Sequence, residues 1–227
     1  MPVGRAVLSR RSPVMDLPGF IPIFPLPNVV LFPEVPLPLH IFEPRYCAMV
    51  RDALVGSGLI GMVLLRGEWQ DDYHGAPETY RTGCVGKIVE TTPLPEGKFN
   101  LVLAGVREFT ILSEQRERAY RQATVEWREP APTAPLPSGL RQRLVQMIER
   151  YVGRSGDDLA RDLLGDARLD DRTLVNFFAF WLDFGPIEKQ CLLEADSAER
   201  GQRLLEMLEF HLYASHAPQE AGVRRVH

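Results

Sequence analysis

The sequence predicts an α+β chain: a small, mostly antiparallel barrel of about six strands with one short helix, followed by a bundle of four or five helices. Three observations predict it. Before about residue 130 the apolar residues fall in short runs bounded by glycine and proline, the pattern of strands and turns. Beyond that point they recur with a period of 3.6, the pattern of amphipathic helices. Between the two lies Pro130-Ala131-Pro132-Thr133-Ala134-Pro135-Leu136-Pro137, where four prolines in eight residues favour a stiff, extended linker. The expected organisation is a flexible segment over 1–18, a barrel over 19–130, a helical unit over 131–215 and a flexible tail over 216–227.

Each element has its own reason. Pro18, Pro22, Pro25, Pro27, Pro33, Pro36, Pro38 and Pro44 crowd the front of the chain, and a residue without an N–H suits extended edge strands and tight turns rather than a central strand. The apolar residues between them, from Ile21 to Ile41, are too many for a solvated linker. Pro44 fits a first helical position, and Tyr46, Met49, Val50, Ala53 and Leu54 form one helical stripe that ends at Gly56. Leu59–Leu65 reads as a buried strand, and Cys84–Glu90 as another. Phe99–Leu103 follows a Pro95-Glu96-Gly97 hairpin turn, and Val106–Leu112 and Arg121–Trp127 complete the set. In the back half the stripes are Leu140, Leu144, Met147, Ile148, Tyr151; then Leu159, Leu163, Leu164; then Leu174, Phe177, Phe178, Trp181, Leu182. Pro186 opens a further helical turn, and Asp196 with Glu199 spells a capping box before Leu204, Leu205, Leu208 and Leu212.

Composition narrows the function. The 227 residues are 45% hydrophobic and 25% charged, ordinary for a globular protein and unlike a disordered or disulfide-scaffold chain. A net charge of −4 gives no bulk attraction to nucleic acid or anionic membrane. Cys47, Cys84 and Cys191 are odd in number, far apart and set in apolar sequence, so buried thiols in a reducing compartment are expected. The first 20 residues carry no continuous apolar run of a secretory signal, and no stretch approaches the ~20 apolar residues of a membrane helix. A cytoplasmic chain without membrane contact is expected.

The motifs that carry chemistry are mostly missing or inverted. Gly56-Ser57-Gly58-Leu59-Ile60-Gly61 matches a dinucleotide fingerprint, but that motif needs a strand entering and a helix leaving. Here a helix enters and a strand leaves, so a helix-ending turn is expected. Gly86-Lys87 and Gly97-Lys98 lack the rest of a phosphate loop, and only one further lysine, Lys189, exists. There is no nucleophile elbow, and His40, His74, His211, His216 and His227 share no ligand spacing, so no catalytic residue, cofactor or metal is nominated. Asp71-Asp72 nominates no acid pair, and Asp170-Asp171 fits a helix N-terminus. Arg107, Arg116, Arg118, Arg121 and Arg128 alternate with Glu108, Glu114, Glu117, Glu126 and Glu129, which reads as a mixed, solvated surface rather than a phosphate track.

Two segments are informative: Pro22-Ile23-Phe24-Pro25-Leu26-Pro27-Asn28-Val29-Val30-Leu31-Phe32-Pro33 and Leu37-Pro38-Leu39-His40-Ile41-Phe42-Glu43-Pro44-Arg45-Tyr46. Together with Gly58-Leu59-Ile60-Gly61, Gly83-Cys84-Val85-Gly86-Lys87-Ile88 and Asn100 to Phe109, they resemble the N-terminal substrate-recognition domain of Lon proteases. The resemblance is dense over about 20–128 and weaker in the helical remainder. It implies a PUA-like pseudobarrel followed by a helical bundle, without the nucleotide-hydrolysing and serine-lysine peptidase parts, as in a stand-alone Lon-domain protein. Glu34 departs from the glycine the family commonly carries after Phe-Pro.

The function so implied is non-enzymatic recognition of exposed apolar or unfolded polypeptide segments, in the manner of an adaptor or regulator of proteolysis. A PUA-like RNA-binding module is the alternative. Phe24, Leu26, Asn28, His40 and Tyr46 are the expected peptide-binding residues, bordering a groove where an extended peptide adds beside a proline-blocked edge with aromatic contacts supplying most of the affinity. The competing structural roles are that Asn28 ties a turn, Glu43 and Pro44 start the helix, and Arg45 pairs with a neighbouring acid.

Overall fold

The computed structural model describes residues 17–70, 75, 77–129, 135–137, 139–155, 158–164 and 169–214. In the first half, β1 (Phe20–Leu26), β2 (Pro36–Ile41), β3 (Leu59–Leu64), β4 (Thr82–Pro93), β5 (Phe99–Gln115) and β6 (Gln122–Trp127) form one sheet, with α1 (Pro44–Val55) inserted between β2 and β3. The strand order is β2-β5-β4-β3-β1-β6, and β6 pairs again with β5. That last pairing closes five strands into a ring. β2 is a spur on residues 99–104 of β5, while β6 takes residues 109–115. All neighbours are antiparallel except β1 and β3, which run parallel because the chain passes through α1 between them.

The proline-rich front departs from expectation in one respect. β2 is an edge strand, but β1 lies between β3 and β6. It tolerates its prolines because its two partners take different halves: Phe20–Pro22 pair with β6, Ile23–Leu26 with β3. The Ile23 N–H donates to Arg121 O at 2.9 Å, so by two-residue alternation Pro25 turns its nitrogen toward β6 beyond the end of that pairing. Pro22 turns its nitrogen toward β3 before that pairing begins. Each half of β1 is locally an edge, and no ladder bond is lost.

β5 is one strand where two are expected. Ala104-Gly105 continues the ladder because Gly105 lies under the turn at Phe32, and a Cβ there would fall 2.0 Å from Phe32 O. Inside the ring sit Ile21, Ile23, Leu59, Val63, Val85, Phe109, Ile111, Ala123 and Val125. Phe109 fits because Gly61 and Gly83 carry no side chain; added Cβ atoms would lie 2.9 and 2.6 Å from its Cζ. Alternation sends Ile60, Met62 and Leu64 to the other face, into a second and larger cluster.

That second cluster is shared with the helices: α2 (Leu140–Ser155), α3 (Asp158–Leu164), α4 (Asp171–Trp181), α5 (Pro186–Glu194) and α6 (Ser197–Ala214). It runs without a break from Phe24, Leu31 and Met49 through Leu144 and Ile148 to Phe178, Leu193 and Leu205. Helix starts follow the sequence signals. Asp170 accepts from Thr173 N at 2.9 Å and Asp196 from Glu199 N at 2.8 Å. Asp171 accepts from Leu136 N at 2.7 Å and pairs with Arg141.

Polar contacts join barrel to bundle. Arg200 of α6, only 3% exposed, donates to Glu108 of β5 at 2.5 Å, to Asn176 of α4 at 2.6 Å, and to the carbonyls of Leu192, Leu193 and Ala195 that end α5. Those carbonyls would otherwise be orphaned at a helix C-terminus. Glu34, at the turn before β2, has φ +68, in the left-handed region that favours glycine. Its carboxylate pairs with Arg172 and accepts from Thr173 Oγ1 at 2.6 Å, while Asn176 Nδ2 donates to Pro33 O at 3.2 Å. The glutamate thus ties the turn to the first turn of α4.

Cys47 and Cys84 are buried, and burial pushes the Cys84 thiol well above its ordinary range. Cys191 is exposed, contrary to expectation, because on α5 it is Leu192 and Leu193 that face the core. The expected flexible termini, Asp71-Asp72, His74, His216, His227 and most of the proline linker lie outside the described residues.

Candidate functional site

Alternation along β2 decides which side chains a partner can reach. Leu37 and Ile41 enter the core; Pro38 and His40 face outward. Phe42, next on the same side, is 59% exposed and stacks on the His40 ring with centroids 5.9 Å apart and planes 25° apart. His40 Nδ1 lies 2.7 Å from Asn100 Oδ1, on the residue directly opposite it in β5. The hydrogen bond and the stacking hold an aromatic pair open to solvent.

The start of α1 adjoins this pair in sequence. Glu43 is the extended residue before the helix and Pro44 its first residue, as expected. Arg45 Nε donates to Glu43 Oε2 at 3.0 Å, and its guanidinium lies 4.6 Å from the centroid of the Tyr46 ring. Tyr46 packs on Phe24 of β1, centroids 4.2 Å apart, and each is 5% exposed.

The five expected site residues therefore divide. Phe24 and Tyr46 meet, but as buried packing between β1 and α1; Leu26 is half-buried against the same cluster. His40 is exposed on β2, and Asn28 is exposed in the loop after β1. Phe42 was not among the expected residues. Its signal was available: Pro38, His40 and Phe42 share a parity opposite to Leu37, Leu39 and Ile41, so an aromatic at 42 falls on the solvent side.

Other candidates resolve into local structure. At Gly56–Gly61, α1 enters and β3 leaves; Gly58 has φ +67 and its N–H donates to Ala53 O at 2.8 Å, ending the helix. Lys87 Nζ binds the Ser57 carbonyl. Among the described residues no three His, Cys, Asp or Glu side chains converge to hold a metal ion. Three of the arginines weighed as a phosphate track are engaged by carboxylates: Arg118 with Asp52 at 2.5 Å, Arg121 with Glu114 at 2.6 Å and Arg128 with Glu108 at 3.3 Å. The Tyr120 hydroxyl also donates to Asp52 at 2.6 Å and, with Arg118, holds that carboxyl below the usual carboxylate range against the opposing effect of desolvation. Among the described residues no helix is long and apolar enough to cross a membrane.

A closed ring of strands with its own interior, sharing a second core on its outer face with a helical bundle and offering solvent an aromatic pair beside a proline-lined edge, defines an α+β barrel-and-bundle module. The family model of the ATP-dependent protease La (LON) substrate-binding domain matches residues 21–209, and the chain belongs to that family. It is 28% identical over 202 residues to Lon protease 2 of Myxococcus xanthus, covering 85% of this chain and 24% of that protein. It is 31% identical over 194 residues to the Lon protease of Parabacteroides distasonis, covering 83% and 23%. The chain thus spans about a quarter of the length of these curated relatives. Among solved structures it resembles the Lon N-terminal domain protein of Xanthomonas campestris, with TM-score 0.61 and 25% identity, covering 82% of this chain and 97% of that one. The N-terminal domain of the Mycobacterium avium complex Lon protease shares the fold with TM-score 0.65 and 18% identity, covering 85% and 99%.

Proposed function

We propose that this chain is a recognition module without peptidase chemistry of its own, which binds exposed apolar segments of unfolded polypeptides and serves proteolysis as an adaptor or regulator. The family's description as a substrate-binding domain supports the polypeptide class of partner. The observation that carries the reading on this chain is the exposed Phe42–His40 pair beside β2, an aromatic surface that nothing described in the fold covers. Fully burying one phenylalanine contributes about 1.5–3 kcal/mol, and ordering an unfolded segment costs several. A few such contacts correspond to dissociation constants on the order of 10–100 μM. Weak binding of that kind suits a module that samples many segments.

Fluorescence anisotropy with a panel of unstructured, labelled peptides tests this. Binding in that range by apolar peptides, weakened several-fold by Phe42→Ala, is the expected outcome. Uniform failure at protein concentrations of about 100 μM contradicts it, as does retention of structured RNA with a steep salt slope in place of peptide.

A further inference from the structure

The free edge of β2 has an unusual hydrogen-bonding inventory. Val35 O accepts from Gly105 N at 2.9 Å, so residue 35 turns its carbonyl toward β5, while its N–H donates to Phe32 O within the turn before the strand. Two-residue alternation places Leu37, Leu39 and Ile41 on that same side, opposite Leu103, Leu101 and Phe99. The main-chain groups of Pro36, Pro38 and His40 must then point away from the sheet. This is also the only arrangement that costs the ladder no bond, because Pro36 and Pro38 have no N–H to give. The outward edge therefore offers the carbonyls of Pro36, Pro38 and His40 but a single amide, that of His40. Among the described residues β2 has no second strand partner in the sheet.

Such an edge accepts but hardly donates. A guest strand laid along it donates its own N–H groups to three carbonyls at every second residue, while its inward carbonyls meet one donor at most. A second copy of β2 cannot supply what this edge needs, since its own edge lacks the same donors. An ordinary extended polypeptide can. We infer that β2 captures extended segments through a one-sided ladder, in which N–H groups at alternate guest residues are required and the intervening ones are not. Guest side chains on the outward face then lie beside His40 and Phe42, where aromatic and apolar residues gain most. The inference rests on the polypeptide-binding reading above and adds the mode of attachment. A one-sided ladder gives a guest less than a full sheet edge does, and it protects the edge from permanent pairing with another chain.

The test is an N-methyl scan of one peptide that binds the wild-type chain, read by anisotropy, together with Pro38→Ala. N-methylation removes one amide donor without changing the side chain. The expected result is an alternating pattern: methylation at every second residue weakens binding at least tenfold, and methylation between them changes it less than twofold. Pro38→Ala adds one of the two missing donors and is expected to tighten the same peptide several-fold, with thermal unfolding confirming the fold. Binding that is indifferent to the position of the methyl group, or unchanged by Pro38→Ala while still weakened by Phe42→Ala, overturns the one-sided ladder and leaves the recognition reading standing. Absence of binding by any peptide overturns both.

Discussion

The interior of the strand ring and the seam between barrel and bundle are equally closed to water, yet opposite chemistry holds them. The interior is a cluster of apolar side chains around Phe109, fitted by the absence of side chains at Gly61 and Gly83. The seam is apolar too, but a buried arginine runs through it, bound to a carboxylate, an amide and three helix-terminal carbonyls. Apolar burial is non-directional and accepts many arrangements of similar volume; hydrogen bonds to a planar guanidinium accept few. The interior therefore supplies stability, and the seam fixes how β2 and its neighbouring surface are set against the helices.

Substitutions separate the two regions. The largest effect is expected at the interior: Phe109→Ala should cost about 3–5 kcal/mol in urea unfolding, because the glycines that admit the ring cannot move in to fill the cavity. Next, Arg200→Met should cost about 3 kcal/mol by leaving Glu108 poorly paired in the seam, and adding Glu108→Gln should recover part of that loss. Strict additivity of the two would break the comparison, since it would mean that the seam is held by packing alone.

A finer distinction comes from Glu34. Glu34→Ala keeps the left-handed backbone and loses the tie to α4, for a cost of about 1–2 kcal/mol; Glu34→Gly loses the tie but relieves the backbone and should be near neutral. Equal losses in both would show that the left-handed backbone at this position costs nothing, and a neutral Glu34→Ala would show that the carboxylate contacts contribute nothing. The smallest effect belongs to Asp52, on an exposed part of α1. Its depressed folded-state pKa, set first by the Tyr120 hydroxyl, contributes stability that is present above the unfolded carboxylate value and lost as pH falls through the folded one, below pH ~4. Tyr120→Phe should flatten that acid limb of the thermal-stability profile, and an unchanged limb would place its origin elsewhere.

Local signals were legible in the sequence. α1 begins at Pro44 and ends before Gly56 where its stripe and glycine say it must, and Asp170 and Asp196 accept the helix N–H groups that their positions predict. Long-range pairing was not legible. Nothing local shows that β1 splits its two halves between partners, or that Gly105 lets two short apolar runs join into one strand under Phe32. Arg200 is one arginine among many, and only the fold shows that it ends α5. Burial was not legible from aromatic content either: Phe24 and Tyr46 pack α1 on β1, whereas strand parity, a weaker pattern, leaves Phe42 exposed beside His40.

The most direct measurement is a map of main-chain amide NMR shifts on titration with an unstructured apolar peptide. The account predicts perturbations concentrated in residues 38–46 and in the facing part of β5 around Asn100, with the bundle face of α6 unchanged. Perturbations confined to the helices, or spread over β6 and its arginines, would contradict it.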